Sequence, residues 1–96
     1  MTSSTRRLSP AAIPRLRIST RTRKYRGTLY IAGPDQAFEL DDLAEHIFLD
    51  IDGTRTIAEI GERVAAEYHI PVPQAVPDAA DAIAQFVESG LVDLAE

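Results

Sequence analysis

A chain of 96 residues has room for one domain with a modest hydrophobic core. It contains no cysteine, which excludes disulfides, a thiolate zinc site and a cysteine nucleophile, and no apolar run approaches the roughly 18 residues of a membrane span, so we expect a cytoplasmic protein without a membrane segment. The net charge of −5 hides an asymmetry, because the first 34 residues hold eight of the ten basic residues and all fifteen acids follow them.

The first segment is rich in Ser, Thr, Arg and Pro and shows no hydrophobic periodicity. We therefore predict a flexible basic N-terminal arm over residues 1–14 and one folded domain over residues 15–96. A basic arm on an acidic body can bind nucleic acid, an acidic partner or its own body. Nucleic acid is disfavoured as the partner, because the basic residues before Gly27 are accompanied by a single aromatic residue, Tyr25.

The front half of the domain predicts three strands. "RISTRTRKY" alternates loosely and is rich in β-branched residues, which predicts a strand over about 17–25. "TLYIA" predicts a second strand over 28–32, and the alternation in "QAFEL" predicts a third over 36–40. Turn residues at Arg26-Gly27 and Gly33-Pro34-Asp35 separate these runs, so the strands are expected to form an antiparallel meander.

The rear half of the chain predicts helices. Either of the neighbouring Asp41 and Asp42 can cap a first helix that runs through about Leu49. Thr56, with Glu59 three residues later, has the spacing of a capping box and begins a second helix. In both segments the apolar residues recur at helical spacing, so each helix is expected to bury one face.

A third helix is predicted after a proline-rich break. Pro71, Pro73 and Pro77 separate it from the second helix, and Asp78 is its expected cap. Ser89-Gly90 ends it, and "LVDL" follows as a terminal tail. The predicted fold is therefore α+β and similar to a winged helix-turn-helix: a three-stranded antiparallel sheet followed by three helices, in the order β-β-β-α-α-α.

The stretch "IFLDIDGT", residues 47–54, has the D-x-D-G-T order with which haloacid-dehalogenase-type phosphatases begin their active site. Such a nucleophile lies at the carboxyl end of a parallel strand, whereas the residues before Asp50 have helical spacing. Phosphoryl transfer also needs positive groups near the transferred phosphate, and only Arg55 and Arg63 follow the motif. We therefore interpret Asp52 and its neighbours as the end of one helix and the start of the next.

Other catalytic or cofactor sites are not indicated. His46 and His69 lie 23 positions apart and do not form a metal-binding spacing. The serines lack a G-x-S-x-G context, and the chain has no glycine-rich phosphate loop. The sequence therefore predicts no enzyme activity, no catalytic residue, no metal site and no cofactor.

The string "FELDDLAEHIFLDIDGTRTIAEIGERVAAEY" resembles the PqqD family. That family carries a Leu-x-x-x-Ala-x-x-Ile stretch, an Asp-Gly-x-Arg/Thr-Thr turn and an Ile of the following helix. The matching residues are Leu40, Ala44, Ile47, Asp52, Gly53, Arg55, Thr56 and Ile60. Near the C-terminus, "DAADAIAQFVESGLV" is similar to the family's last helix, with matches at Asp78, Ile83, Phe86, Gly90 and Leu91; Ala79 and Ala82 depart from the family's larger Val and Phe.

The resemblance implies a recognition element for ribosomally synthesised and post-translationally modified peptides (RiPPs). Such a domain is a non-catalytic peptide chaperone that binds the leader region of a precursor peptide by β-strand addition. It presents the peptide to a modifying enzyme, such as a radical SAM enzyme or a leader protease with a cyclase. In the family the third strand supplies the edge and the third helix the wall. The leader-binding residues expected from this are Gln36, Ala37, Phe38, Glu39, Leu40, Ala79, Ile83, Phe86 and Val87.

Two alternatives stay open on the sequence. A winged helix with a basic arm also suits a DNA-binding transcriptional regulator. Against it, "TIAEIGERVAAEYH" carries three Glu and one Arg, so this helix would be repelled by phosphates. The second alternative is an adaptor domain with an unrelated protein partner.

Overall fold

A computed structural model describes residues 8–33 and 37–95 of the chain. Residues 1–7 of the predicted arm, the predicted turn residues Pro34 and Asp35, and the predicted binding residue Gln36 lie outside the described residues. The elements in chain order are β1 (Ile13–Leu16), β2 (Arg21–Tyr25), β3 (Thr28–Ala32), β4 (Ala37–Leu40), α1 (Asp42–Leu49), α2 (Ile57–Tyr68), α3 (Val72–Glu88) and β5 (Val92–Ala95).

The antiparallel sheet of the predicted meander is present as β2-β3-β4. Arg26 and Gly27 join its first two strands, and both have positive φ (52° and 83°), as a two-residue type I′ hairpin turn requires. Alternation along β3 and β4 buries Leu29, Ile31 and Leu40 on the inner face, against the helices. The prediction of an α+β fold with an antiparallel sheet and three helices is confirmed.

The single strand predicted over 17–25 is wrong in its first half. A turn interrupts it: the Thr20 N–H donates to the Arg17 carbonyl (3.0 Å), and β2 begins only at Arg21. Before the turn, β1 pairs antiparallel with β5, from Ile13↔Ala95 to Leu16↔Val92. The segment predicted as a terminal tail is thus a strand, and β1 includes the last two residues of the stretch predicted as an arm.

The first two helices begin as predicted. The Asp41 side chain accepts a hydrogen bond from the N–H of Ala44 (2.8 Å) and caps α1. Thr56 and Glu59 form the predicted capping box of α2, each side chain accepting from the other's main-chain N–H. Both caps supply acceptors to N–H groups that have no partner inside the helix.

The start of α3 differs from the prediction. Asp78 does not cap it, because the helix begins six residues earlier at Val72 and contains Pro73 and Pro77. Pro73 lies in the first turn, where an N–H has no intrahelical acceptor to lose. Pro77 removes one hydrogen bond, and the burial of Ala75 and its neighbours against α2 offsets that loss.

The core lies between the inner face of the sheet and the three helices. α2 and α3 are in close contact at Gly61, where an added Cβ would lie 2.7 Å from the Val76 Cα. Phe48 of α1 packs edge-to-face on Phe86 of α3, with ring centroids 5.7 Å apart. These contacts fix α3 across the end of the sheet that carries β4.

Candidate functional site

The candidate site begins with β4, an edge strand of the described sheet. β3 pairs with one side of β4, and the other side has no described strand beside it. Along β4, Ala37 and Glu39 are exposed, whereas Phe38 is partly buried and Leu40 is buried. The four described residues of the predicted strand therefore form an edge with two side chains turned inward.

A hollow of about 210 Å³ lies between β4 and the C-terminal half of α3. We call it the β4–α3 hollow. Its apolar lining comes from Phe38, Leu40, Ala44, Ala82, Phe86 and Leu91, and its polar lining from Glu39, Asp41, Gln85 and Ser89. An open strand edge beside an apolar hollow is the arrangement in which a peptide adds as a strand and places alternate side chains in pockets.

The predicted helix residues divide between this hollow and the core. Phe86 lines the hollow. Ala79 and Ile83 are fully buried in the core, and Val87 packs partly buried against it. At 3.6 residues per turn, Ala79 and Ile83 lie on the side of α3 that faces the other helices, and only Phe86 lies between that side and the hollow.

Sequence reasoning missed the other helix residues of the hollow. Ala82, Gln85 and Ser89 follow one another at i, i+3 and i+7 and flank Phe86, so they share one face of α3. In the sequence these positions form a strip of small or polar residues beside the apolar stripe of α3, and this strip was the signal that could have revealed them. Leu91 joins them because Gly90, with φ of 78°, turns the chain back after α3.

The end of β4 carries negative charge. Glu39 and Asp41 line both the β4–α3 hollow and a neighbouring surface depression that also contains Asp42 and Tyr68. Partial burial raises the pKa of the Tyr68 hydroxyl, and the carboxylates of Asp42 and Glu67 raise it further. A group bound at this end of the strand therefore meets a negative potential.

The D-x-D-G-T residues have structural roles. The Asp52 carboxylate accepts hydrogen bonds from the main-chain N–H groups of Thr54 and Arg55 (both 2.9 Å), and these bonds lower the pKa of Asp52 to about 2. The buried Asp50 carboxylate lies 3.2 Å from Nε of Arg63, and its main-chain carbonyl accepts from Arg55 (3.0 Å). Both aspartates thus hold the connection between α1 and α2.

The two histidines lie in separate surroundings. The His46 ring packs edge-on against Tyr68, with centroids 5.5 Å apart, and His69 ends α2 with a left-handed φ of 57°. Within residues 8–33 and 37–95, no group of three His, Cys, Asp or Glu side chains is arranged to hold a metal ion. The helices of these same ranges are also too short or too polar to cross a membrane.

Comparison with known proteins adds two findings. The family model of coenzyme PQQ synthesis protein D (PqqD) matches residues 27–92, which include β3, β4 and all three helices. The solution NMR structure of the PqqD truncation of Methylobacterium extorquens PqqCD is similar, with a TM-score of 0.70 and 22% identity over 90% of this chain and 99% of that one. That protein is described as a functional, stand-alone RiPP recognition element. No curated protein matches the chain.

Proposed function

The chain belongs to the PqqD family, and from this premise we propose that it is a RiPP recognition element that binds the leader region of a precursor peptide. The observation that carries the proposal is the open edge of β4 beside the β4–α3 hollow. The relative with the similar structure, which is itself such an element, supports it. The predicted cytoplasmic location remains part of this proposal.

The hydrogen-bonding pattern of the sheet indicates which residues of β4 would receive the peptide. In a two-residue turn the flanking pair, Tyr25 and Thr28, is hydrogen-bonded. Alternation then directs the main-chain groups of Leu29 and Ile31 toward β4, where they face Leu40 and Phe38. The N–H and C=O groups of Ala37 and Glu39 consequently point to the open edge, and we propose them as the partners of the leader main chain.

The inward side chains of β4 and the face of α3 would then select the leader side chains. A volume of about 210 Å³ is smaller than the roughly 300–1,000 Å³ of small-molecule pockets. The β4–α3 hollow therefore suits a single large apolar side chain of an extended peptide better than a free metabolite. Glu39 and Asp41 at its rim favour a leader that has a basic residue next to its apolar anchor.

The proposed role is presentation without catalysis. Asp50 and Asp52, the residues that look most like a catalytic pair, are engaged in the α1–α2 connection. The site at β4 offers main-chain groups and a partly apolar hollow, which would hold a peptide in an extended conformation. The chemistry would be supplied by a modifying enzyme, for which a radical SAM enzyme and a leader protease with a cyclase are the expected classes.

The test is a titration of the ¹⁵N-labelled full chain with the leader segments of precursor peptides encoded beside its gene. We expect saturable NMR shift changes at β4 and at the 82–89 face of α3, with a Kd in the micromolar range or below. Binding by none of these leaders would contradict the proposal. Salt-sensitive binding of duplex DNA, with shifts at α2 and β2, would instead support the transcriptional regulator, and an unrelated protein partner would support an adaptor.

A further inference from the structure

An aliphatic side chain stands fully in solvent at the turn between β1 and β2. Ile18 is 96% exposed, the largest exposure of any large hydrophobic residue in the described ranges. The turn that carries it is held in place, because the Arg17 N–H (3.0 Å) and the Thr20 hydroxyl (2.8 Å) both donate to the Leu91 carbonyl. Ile18 is thus presented by an anchored turn, with nothing in the described chain covering it.

Basic side chains surround this turn. We call residues 15–23 the basic turn, which carries the exposed Arg15, Arg17, Arg21 and Arg23 and no acid. Arg17 pairs with Asp93 (2.9 Å), and Arg21 donates to the Ile18 carbonyl (3.1 Å). Positive charge around a protruding apolar residue is complementary to an acidic surface that contains an apolar hollow.

The basic turn is continuous with the proposed peptide site. Leu91 belongs to both, since its carbonyl anchors the turn and its side chain lines the β4–α3 hollow. Gly33 packs against the Leu91 side chain as well, because a Cβ at Gly33 would lie 2.9 Å from Leu91 Cδ2. A protein that covers Ile18 would therefore lie beside one end of the bound leader.

We propose that the basic turn is a docking site for an acidic surface of the enzyme that modifies the bound precursor, with Ile18 entering an apolar hollow on that enzyme. The inference rests on the proposed function for the identity of the partner. The chemistry of the partner surface follows from the charges and from Ile18 alone. Docking here holds the enzyme next to the leader site and leaves the open edge of β4 available to the peptide.

The surrounding charges favour a protein over the other anionic partners. A membrane-binding surface needs a broad apolar face in addition to basic residues, whereas the basic turn offers only Ile18 and part of Leu16, and the carboxylate of Asp93 lies at its edge. Duplex DNA presents phosphates along its backbone, which match the arginines but leave Ile18 without an apolar hollow. A second copy of the chain also has an acidic surface. Sedimentation would detect this self-association and so distinguish it from enzyme binding.

The test measures binding of the full chain, with and without leader, to the modifying enzymes encoded beside its gene. Ile18→Asp and Arg21→Gln/Arg23→Gln should each weaken enzyme binding at least about tenfold, as interface hot spots do, while the leader Kd stays within about twofold. Leu49→Asp is the control for an exposed apolar residue, since Leu49 is 62% exposed on α1. The control for charge is Ala66→Glu/Gln74→Glu, since both residues are exposed and the variant changes the net charge by the same two units as the double Arg variant.

The outcomes separate this inference from the proposed function. Loss of enzyme binding in both test variants and in neither control supports the docking site. Unchanged binding in the test variants, or no binding of the wild-type chain by any of these enzymes, overturns it. So does binding of phosphatidylserine vesicles, duplex DNA or a second copy that is lost in the same variants. If no leader binds, the proposed function fails, and the enzyme measurement without leader still decides the docking site.

Discussion

The two edges of the three-stranded sheet differ in almost every respect. β2 is exposed along its whole length and carries Arg21, Arg23 and Lys24. β4 turns Phe38 and Leu40 inward and lies beside the β4–α3 hollow. Both edges present main-chain groups that could pair with another strand, but the depression beside β2 is lined by strand residues alone, whereas α3 forms one wall of the hollow beside β4.

Under the proposed function, this difference would let one sheet bind a peptide at one edge and resist pairing at the other. Charged residues on an edge strand disfavour association with further strands, and β2 carries them on both of its faces, since Arg23 and Lys24 are neighbours along the strand. On β4 the single charged residue is Glu39, and the inward side chains meet the last turns of α3. The proposed leader binding at β4 would therefore depend on the edge and the helix together.

Filling the hollow should have the largest effect on this contrast. Ala82→Trp places an indole among the residues that line it, and we expect leader affinity to fall about 100-fold or more, equivalent to about 2.7 kcal/mol, because the anchor side chain of the peptide is excluded. Isothermal titration calorimetry measures the loss. Ala66→Trp, on an exposed part of α2, is the matched control and should bind as the wild type does. Equal affinities for all three proteins would show that the leader does not use the hollow.

Disturbing the contact between α2 and α3 should lower the stability of the fold that holds α3 beside β4. Gly61→Ala would bring a Cβ to 2.7 Å from Val76, so α2 and α3 must separate, which we expect to cost about 1–3 kcal/mol of unfolding free energy in spite of the better helix propensity of Ala. Urea denaturation measures this cost. Gly90→Ala is a useful contrast, because no atom lies near its Cβ and any effect comes from the positive φ of 78°. An unchanged or increased stability of Gly61→Ala would contradict the close helix contact.

Removing one main-chain donor from each edge compares the edges directly. Glu39→Pro should lower leader affinity about tenfold, the equivalent of 1.4 kcal/mol, because Pro has no N–H and its ring occupies the open edge. Thr22→Pro makes the same change on the open side of β2 and should leave the affinity unchanged. Glu39→Gln controls for the lost charge. If Thr22→Pro impairs binding as strongly as Glu39→Pro, the peptide adds to β2 instead.

Interactions between residues close in sequence explain why the helix caps and the β4 strand could be predicted. The caps of α1 and α2 depend on residues three positions apart, and the alternation in "AFEL" is complete within β4. The pairing of β1 with β5 joins residues at opposite ends of the chain, such as Ile13 and Ala95, and no local pattern encodes it. The early start of α3 depends on burial against α2, which outweighs the prolines.

The candidate site was predictable to a similar extent. The strand followed from alternation and from the family resemblance, and the structure places Phe38, Glu39 and Leu40 at the hollow. Most of the predicted lining of α3 lies on a different face of the helix, because apolar character predicts lining residues and core residues alike, and Ala79 and Ile83 fill the core. Small and polar residues such as Ala82 and Ser89 border a hollow because they leave space, and hydrophobicity alone does not reveal that.

The smallest predicted effect concerns the charge at the end of β4. Tyr68 reports it, since burial and nearby carboxylates raise the pKa of its hydroxyl above the ordinary value. A raised tyrosine pKa means that this group contributes stability below its unfolded-state pKa and that the contribution is lost as the pH rises through the folded-state pKa.

In a Tyr25→Phe/Tyr30→Phe background, absorbance titration of Tyr68 near 295 nm should therefore give a midpoint above about 10. Asp42→Asn should lower that midpoint in part, because it removes one of the carboxylates and leaves the burial of the ring in place. Arg21→Gln, on the opposite edge, should not move it, and a shift of equal size in both variants would show that the negative potential is not localised at β4.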